Sequence, residues 1–246
     1  FQAYSKHWLF DSGSLALEET DAPYQDGVLS PEGKKTAFIR DYNIWVRDQV
    51  TGEEKALTQD GMEHYRYGHH LWGEDTVLWS ADSQCILFTL LDEQKVETLF
   101  HVNYGPTQDG SLHPPLKESK FAFPGDEHVP YLHLCTVNIS TGKLQQADYP
   151  PTSIMFGGVA GFGFLDAKLG WWSADSRRAF FIDTPRDSRV VRVVEWDTQT
   201  GITRVLFEET DEFTVRLRHD MIMRPLIVPL PDTDEHRIPQ GSGVSK

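Results

Sequence analysis

Apolar and polar positions alternate in short runs from Ser30 to Gly61 (SPEGKKTAFIRDYNIWVRDQVTGEEKALTQDG), and turn residues separate the runs. A Ser-Pro-Glu-Gly corner precedes the run Thr36 to Arg40; Asp41-Tyr42-Asn43 breaks it, Ile44 to Val46 resumes it, and Thr51-Gly52 leads to a run ending at Leu57. Runs this short and this patterned predict three antiparallel strands joined by tight turns. Pro31 presets φ for a turn's second position, Gly33 and Gly52 accept positive φ, and Asn43 tolerates the left-handed region.

The unit recurs. Ser80-Ala81-Asp82-Ser83 follows Leu78-Trp79 and precedes the apolar run Cys85 to Leu91, and Ser173-Ala174-Asp175-Ser176 follows Trp171-Trp172 and precedes Ala179 to Ile182. The closing half recurs as Val137 to Gly142 and Glu195 to Gly201, each an apolar strand running into an acidic or amide turn. Repeats of short strands at this spacing predict an all-β fold of β-propeller blades, each a four-stranded antiparallel sheet that needs its neighbours to bury both faces. The blades are expected around residues 1–27, 28–61, 78–150, 168–210 and 211–246, all within one propeller domain.

Four stretches depart from the pattern. Residues 62–77 (MEHYRYGHHLWGEDTV) lack strand alternation and read as a linker rich in Tyr, His, Trp and acids, the place to search first for a binding site. Its histidines His64, His69 and His70 complete no recognised metal-ligand spacing and read as surface or hydrogen-bonding groups; neither a metal nor a cofactor is expected. Ser80 to Gly142 spans 62 positions, against 22 for Ser30 to Gly52 and 28 for Ser173 to Gly201, so an insert (residues 104–130) lies between two strands of one blade. Its prolines (Pro106, Pro114, Pro115, Pro124, Pro130) make it an extended projecting arm, with Phe121 and Phe123 suited to a partner contact. Gly157-Gly158 and Gly161-Phe162-Gly163 mimic a phosphate loop, but no helix-opening pattern follows. A hairpin is expected near the start, with Lys6 to Phe10 and Ser14 to Leu17 flanking Asp11-Ser12-Gly13.

Composition narrows the function. The formal net charge of −14 argues against a nucleic-acid surface, which needs clustered Lys and Arg. Cys85 and Cys135 both lie in apolar runs and read as small buried hydrophobes, which favours a cytoplasmic over a secreted setting. No run approaches the length of a membrane span. The chain opens in what reads as mid-strand and is taken as part of something longer. No Gly-x-Ser-x-Gly elbow and no His-Glu-x-x-His occurs, so no catalytic residue is expected here, and a non-catalytic scaffold for protein–protein binding is the alternative function.

The blocks SPEGKKTAFIRDYNIWVRDQVTGEEKALTQDG, LWSADSQCILFTLLDEQKV, FPGDEHVPYLHLCTVNISTGK and GWWSADSRRAFFIDTPRDSRVVRVVEWDTQTG resemble, in one collinear order, the N-terminal propeller of dipeptidyl peptidase IV-like serine peptidases of the prolyl oligopeptidase family. The resemblance implies an enzyme in which an eight-bladed propeller caps an α/β-hydrolase domain carrying the catalytic triad, this chain holding roughly four to five of the eight blades. It also implies release of N-terminal dipeptides, often after proline, from peptides with a free N-terminus. Trp72-Gly73-Glu74-Asp75 stands where the family places acids that hold the substrate's amine, so Glu74 and Asp75, with Trp72 beside them, are the implied substrate-binding residues. The stretch is about eight residues shorter than the family's, and its second acid is Asp. The arm, with Phe121, Phe123 and Pro124, stands where the family's extended hairpin takes part in homodimer contacts.

Overall fold

A computed structural model of the chain describes residues 2–3, 6–11, 16–20, 27–69, 77–102, 115–153, 170–185, 187, 189–213, 215, 228–229 and 236–237. Among them there is no helix. A three-stranded sheet opens the chain: β1 (Gln2–Ala3), β2 (Lys6–Asp11) and β3 (Ala16–Thr20), with Phe10 opposite Leu17. A four-stranded meander follows: β4 (Val28–Leu29), β5 (Lys35–Arg40), β6 (Asn43–Asp48) and β7 (Glu54–Ala56). The next sheet holds β8 (Tyr65–Tyr67), β9 (Val77–Trp79) and β10 (Cys85–Asp92); the chain then leaves it for a separate ladder of β11 (Thr98–Val102) and β12 (Leu116–Lys120). It returns through β13 (Tyr131–Asn138), β14 (Leu144–Gln146) and β15 (Thr152–Ser153). A second four-stranded meander comprises β16 (Gly170–Trp172), β17 (Arg178–Asp183), β18 (Val190–Asp197) and β19 (Thr203–Thr210), and β20 (Val228–Pro229) pairs with β21 (His236–Arg237).

The recurring corners fold identically because the same atoms are available each time. Ser30, Ser80 and Ser173 are buried, and each hydroxyl accepts the N–H five residues on, from Lys35, Cys85 and Arg178. The fourth corner position has positive φ in all three: Gly33 at 75°, Ser83 at 60° and Ser176 at 59°. The closing turns share a second device: one carboxylate or amide oxygen, from Asp48, Asn138 or Asp197, accepts two successive backbone N–H groups. Those N–H bonds hold the Asp48 and Asp197 carboxyls below the usual carboxylate range, led by Thr51 and Thr200 respectively.

Successive blades are stapled at equivalent positions. The Trp79 indole donates to Val28 O at 2.8 Å, and the Trp172 indole to Leu78 O at 3.1 Å, so the first strands of three successive blades lie side by side. Glu32 N–H donates to the Ser83 hydroxyl at 3.2 Å and Asp82 N–H to the Ser176 hydroxyl at 3.1 Å. Between these staples lie the cores. Ala37, Ile44 and Val46 pack on Trp79, Ile86, Phe88 and Val137; Leu87 and Leu134 pack on Phe181, Val194 and Trp196. Phe88 and Trp196 are both 0% exposed, and large side chains buried this completely stabilise by about 1.5–3 kcal/mol each. This repeat geometry is that of a partial β-propeller.

The first full unit has the expected four strands, three of them between Ser30 and Gly61 and the fourth, Val28–Leu29, pairing with Thr36–Ala37. One local expectation is corrected. The left-handed residues of the β5–β6 turn are Asp41 (φ 48°) and Tyr42 (φ 64°), while Asn43 is already in β6. Asn43 instead ties the turn: its amide donates to Asp41 O, and its oxygen accepts from the Thr58 hydroxyl and Gly61 N–H. A non-glycine residue in this region costs about 1–2 kcal/mol, which these bonds offset.

Candidate functional site

The axial edge of β10 is divided between two strands. Tyr67 pairs with Leu90 and Val77 with Phe88, so the stretch expected to be a strandless linker contributes β8 and re-enters as β9 on the same edge. Thr89 stands at the division, its carbonyl accepting Gly68 N–H at 2.7 Å and its hydroxyl donating to His69 O at 2.8 Å. Gly68 is required there. Its φ is +72°, and a Cβ would lie 2.4 Å from Ile39 Cδ1.

Around this stem the side chains are aromatic and largely sealed. Tyr65, Tyr67 and Phe88 meet edge to face, and burial, reinforced at Tyr67 by a hydrogen bond with Asp60, pushes both phenols upward. Burial also pushes the Cys135 thiol up to about 12, and raises Cys85, so neither sulfur is a thiolate at neutral pH; both are free thiols. Arg66 donates to buried Glu93 at 2.6 Å, and Glu93 N–H bonds to His64 O, which fixes β8 against the end of β10. His69 Nδ1 lies 2.8 Å from Tyr67 O, and its ring centroid is 6.3 Å from that of Tyr42.

Of the residues named from sequence, Trp72, Glu74, Asp75 and His70 lie outside the described residues. Their described flanks, His69 and Val77, both stand at the axial edge of β10. The His69 ring is hydrogen-bonded and His64 bonds through its backbone carbonyl, and among the described residues no group of His, Cys, Asp and Glu is placed to hold a metal. On the arm, Phe121 and Phe123 are 48% and 50% exposed with ring centroids 5.3 Å apart, and Pro124 is exposed beside them. The arm is a hairpin from Thr98 onward, and the sequence reading missed that Phe100, Val102 and Leu116 share one exposed face of it. The chemistry on offer around the stem is recognition: buried neutral phenols, a fixed imidazole and a braced strand end.

The family described as "Dipeptidyl peptidase IV (DPP IV) N-terminal region" matches residues 1–237. Dipeptidyl-aminopeptidase B of Aspergillus niger is 25% identical over 230 residues, covering 86% of this chain and 22% of that protein. "Probable dipeptidyl-aminopeptidase B" of Pyrenophora teres f. teres is 30% identical over 226 residues, covering 80% of this chain and 23% of the relative. Among solved structures, dipeptidyl peptidase 4 of Porphyromonas gingivalis superposes with a TM-score of 0.61 at 16% identity, over 85% of this chain and 29% of that one. The chain thus spans about a fifth of the length of the curated relatives it matches.

Proposed function

The chain belongs to the dipeptidyl peptidase IV N-terminal region family, and from that premise we propose that it is the substrate-admitting propeller of a serine exopeptidase that releases N-terminal dipeptides. The chemical step falls to an α/β-hydrolase domain of the same protein. The propeller gates access, and Glu74 and Asp75, beside Trp72, bind the peptide's free ammonium. Two carboxylates on one ammonium give charge-assisted hydrogen bonds and register where the peptide begins. The observation that carries this is the divided edge of β10: the described flanks of residues 70–76 stand at the axial side of the blade, where a peptide inside the ring would pass.

The test is hydrolysis of a glycyl-prolyl chromogenic substrate by the full-length protein and its Glu74→Gln and Asp75→Asn variants. Each substitution is expected to raise KM roughly 10- to 100-fold with a smaller change in kcat, the worth of one hydrogen bond to a charged group. Variants indistinguishable from the parent would make both acids ordinary loop residues, and a parent without activity would favour a binding scaffold. We also propose that the arm joins two copies of the protein. Support comes from the exposed apolar residues Phe100, Val102 and Leu116 on one face of the ladder and the exposed Phe121 and Phe123 just beyond its end. Sedimentation of a Phe121→Ser, Phe123→Ser variant should show a weakened dimer; a dimer of unchanged affinity would place the interface elsewhere.

A further inference from the structure

Tyr42 occupies a position that resists a tyrosine. The two-residue β5–β6 turn has positive φ at both Asp41 and Tyr42, 48° and 64°, a geometry that favours Asn-Gly or Asp-Gly. The strain is held in place from several sides. Tyr67 N–H donates to Tyr42 O at 3.0 Å, the Asn43 amide donates to Asp41 O at 2.7 Å, and Gly61 approaches so closely that a Cβ there would lie 2.2 Å from Tyr42 O. The ring is not sealed in the core, since Tyr42 is 38% exposed. What the ring does meet is His69, at a centroid distance of 6.3 Å and an interplanar angle of 54°. His69 is itself fixed, with Nδ1 2.8 Å from Tyr67 O and its carbonyl held by the Thr89 hydroxyl. A strained residue that is over-determined by its surroundings, and whose side chain faces outward, marks a binding position.

We propose that Tyr42 and His69 form the platform for the first side chain of the substrate peptide, and that it selects an aromatic side chain there. This rests on the exopeptidase reading above: His69 directly precedes the stretch assigned to the ammonium, and the side chain next to that ammonium belongs to the peptide's first residue. A phenol ring and an imidazole set at an angle offer one ring face and one ring edge, the surfaces on which a third aromatic ring packs. Glycine as first residue has no side chain to meet either surface.

The measurement is kcat/KM of the full-length protein for phenylalanyl-prolyl and glycyl-prolyl chromogenic substrates, in the parent and in Tyr42→Phe, Tyr42→Asn and Tyr42→Ala. Asparagine suits the turn, so its variant folds without the strain that Ala retains. The parent's preference for phenylalanine over glycine is expected to survive in Tyr42→Phe and to fall roughly 2- to 10-fold in Tyr42→Asn and Tyr42→Ala, through KM, as expected for one lost aromatic pair. An unchanged preference in Tyr42→Asn overturns the platform and leaves the exopeptidase reading standing. A parent that cleaves neither substrate overturns both.

Discussion

Ser83 carries a backbone penalty and an inter-blade bond at the same position, so two substitutions there separate the terms by sign. It is 1% exposed, sits at φ 60°, and its hydroxyl accepts Glu32 N–H of the preceding blade at 3.2 Å. In Ser83→Ala the left-handed strain stays while the bond is lost, for a destabilisation of about 1–2 kcal/mol. In Ser83→Gly the same bond is lost, but about 1 kcal/mol of strain is released, so the net loss is about 0–1 kcal/mol. The two variants should therefore differ by about 1 kcal/mol in glycine's favour although glycine removes more atoms. For a domain of this size that is about 2–4 °C in Tm, read by calorimetry or tryptophan fluorescence. The equivalent pair at Ser176, which accepts Asp82 N–H at 3.1 Å, should reproduce the order. Ala without effect would show that the corner hydroxyls do not staple the blades, and equal losses for Ala and Gly would show that glycine releases no left-handed strain there.

Three further outcomes are expected. Gly68→Ala should destabilise by about 2–3 kcal/mol, since the new Cβ would meet Ile39 Cδ1 at 2.4 Å at φ +72°; denaturant midpoints test this. Arg66→Met should cost about 2–3 kcal/mol, more than Glu93→Ala, because it strands the Glu93 carboxylate, 5% exposed, without its counter-charge, whereas removing Glu93 leaves a guanidinium that is 22% exposed. The closing turns make stability pH-dependent. Carboxyls lowered in the fold, Asp48 and Asp197 among them, add stability that is complete above the ordinary carboxylate range and is lost as pH falls below it and through their lowered folded values. Asp48→Asn with Asp197→Asn, which copies the amide already present at Asn138, should keep the turns at neutral pH and flatten part of the acid loss in denaturation followed from pH 7 to pH 3.

The repeats were legible because their chemistry is local. A serine five residues before its N–H partner, or an Asp accepting from the next residues of its own turn, is written in a few consecutive letters. The inter-blade staples follow from the same letters once blades are stacked, since Trp79 and Trp172 directly precede their corners. What was missed depends on distant partners. Tyr65–Tyr67 is too short to show a period, and becomes a strand only because the end of β10 offers it a free edge some 25 residues away. Tyr42 in the left-handed region contradicts its propensity and is held there by Tyr67 and Asn43. The arm's apolar face needs the register that sets Val102 opposite Leu116 across an interval the sequence does not pair. The acids Glu74 and Asp75 came from the family resemblance, which supplied the amine-binding role that adjacent loop acids alone do not carry.

The most direct test of the account compares a glycyl-prolyl substrate bearing a free amine with its N-acetylated form, using the full-length protein and its Glu74→Gln, Asp75→Asn double variant. A propeller that measures the peptide from its ammonium predicts a strong preference for the free amine, and a collapse of that preference in the double variant as the free-amine KM rises. Equal turnover of both forms by the parent, or a preference that survives the double substitution, would contradict it.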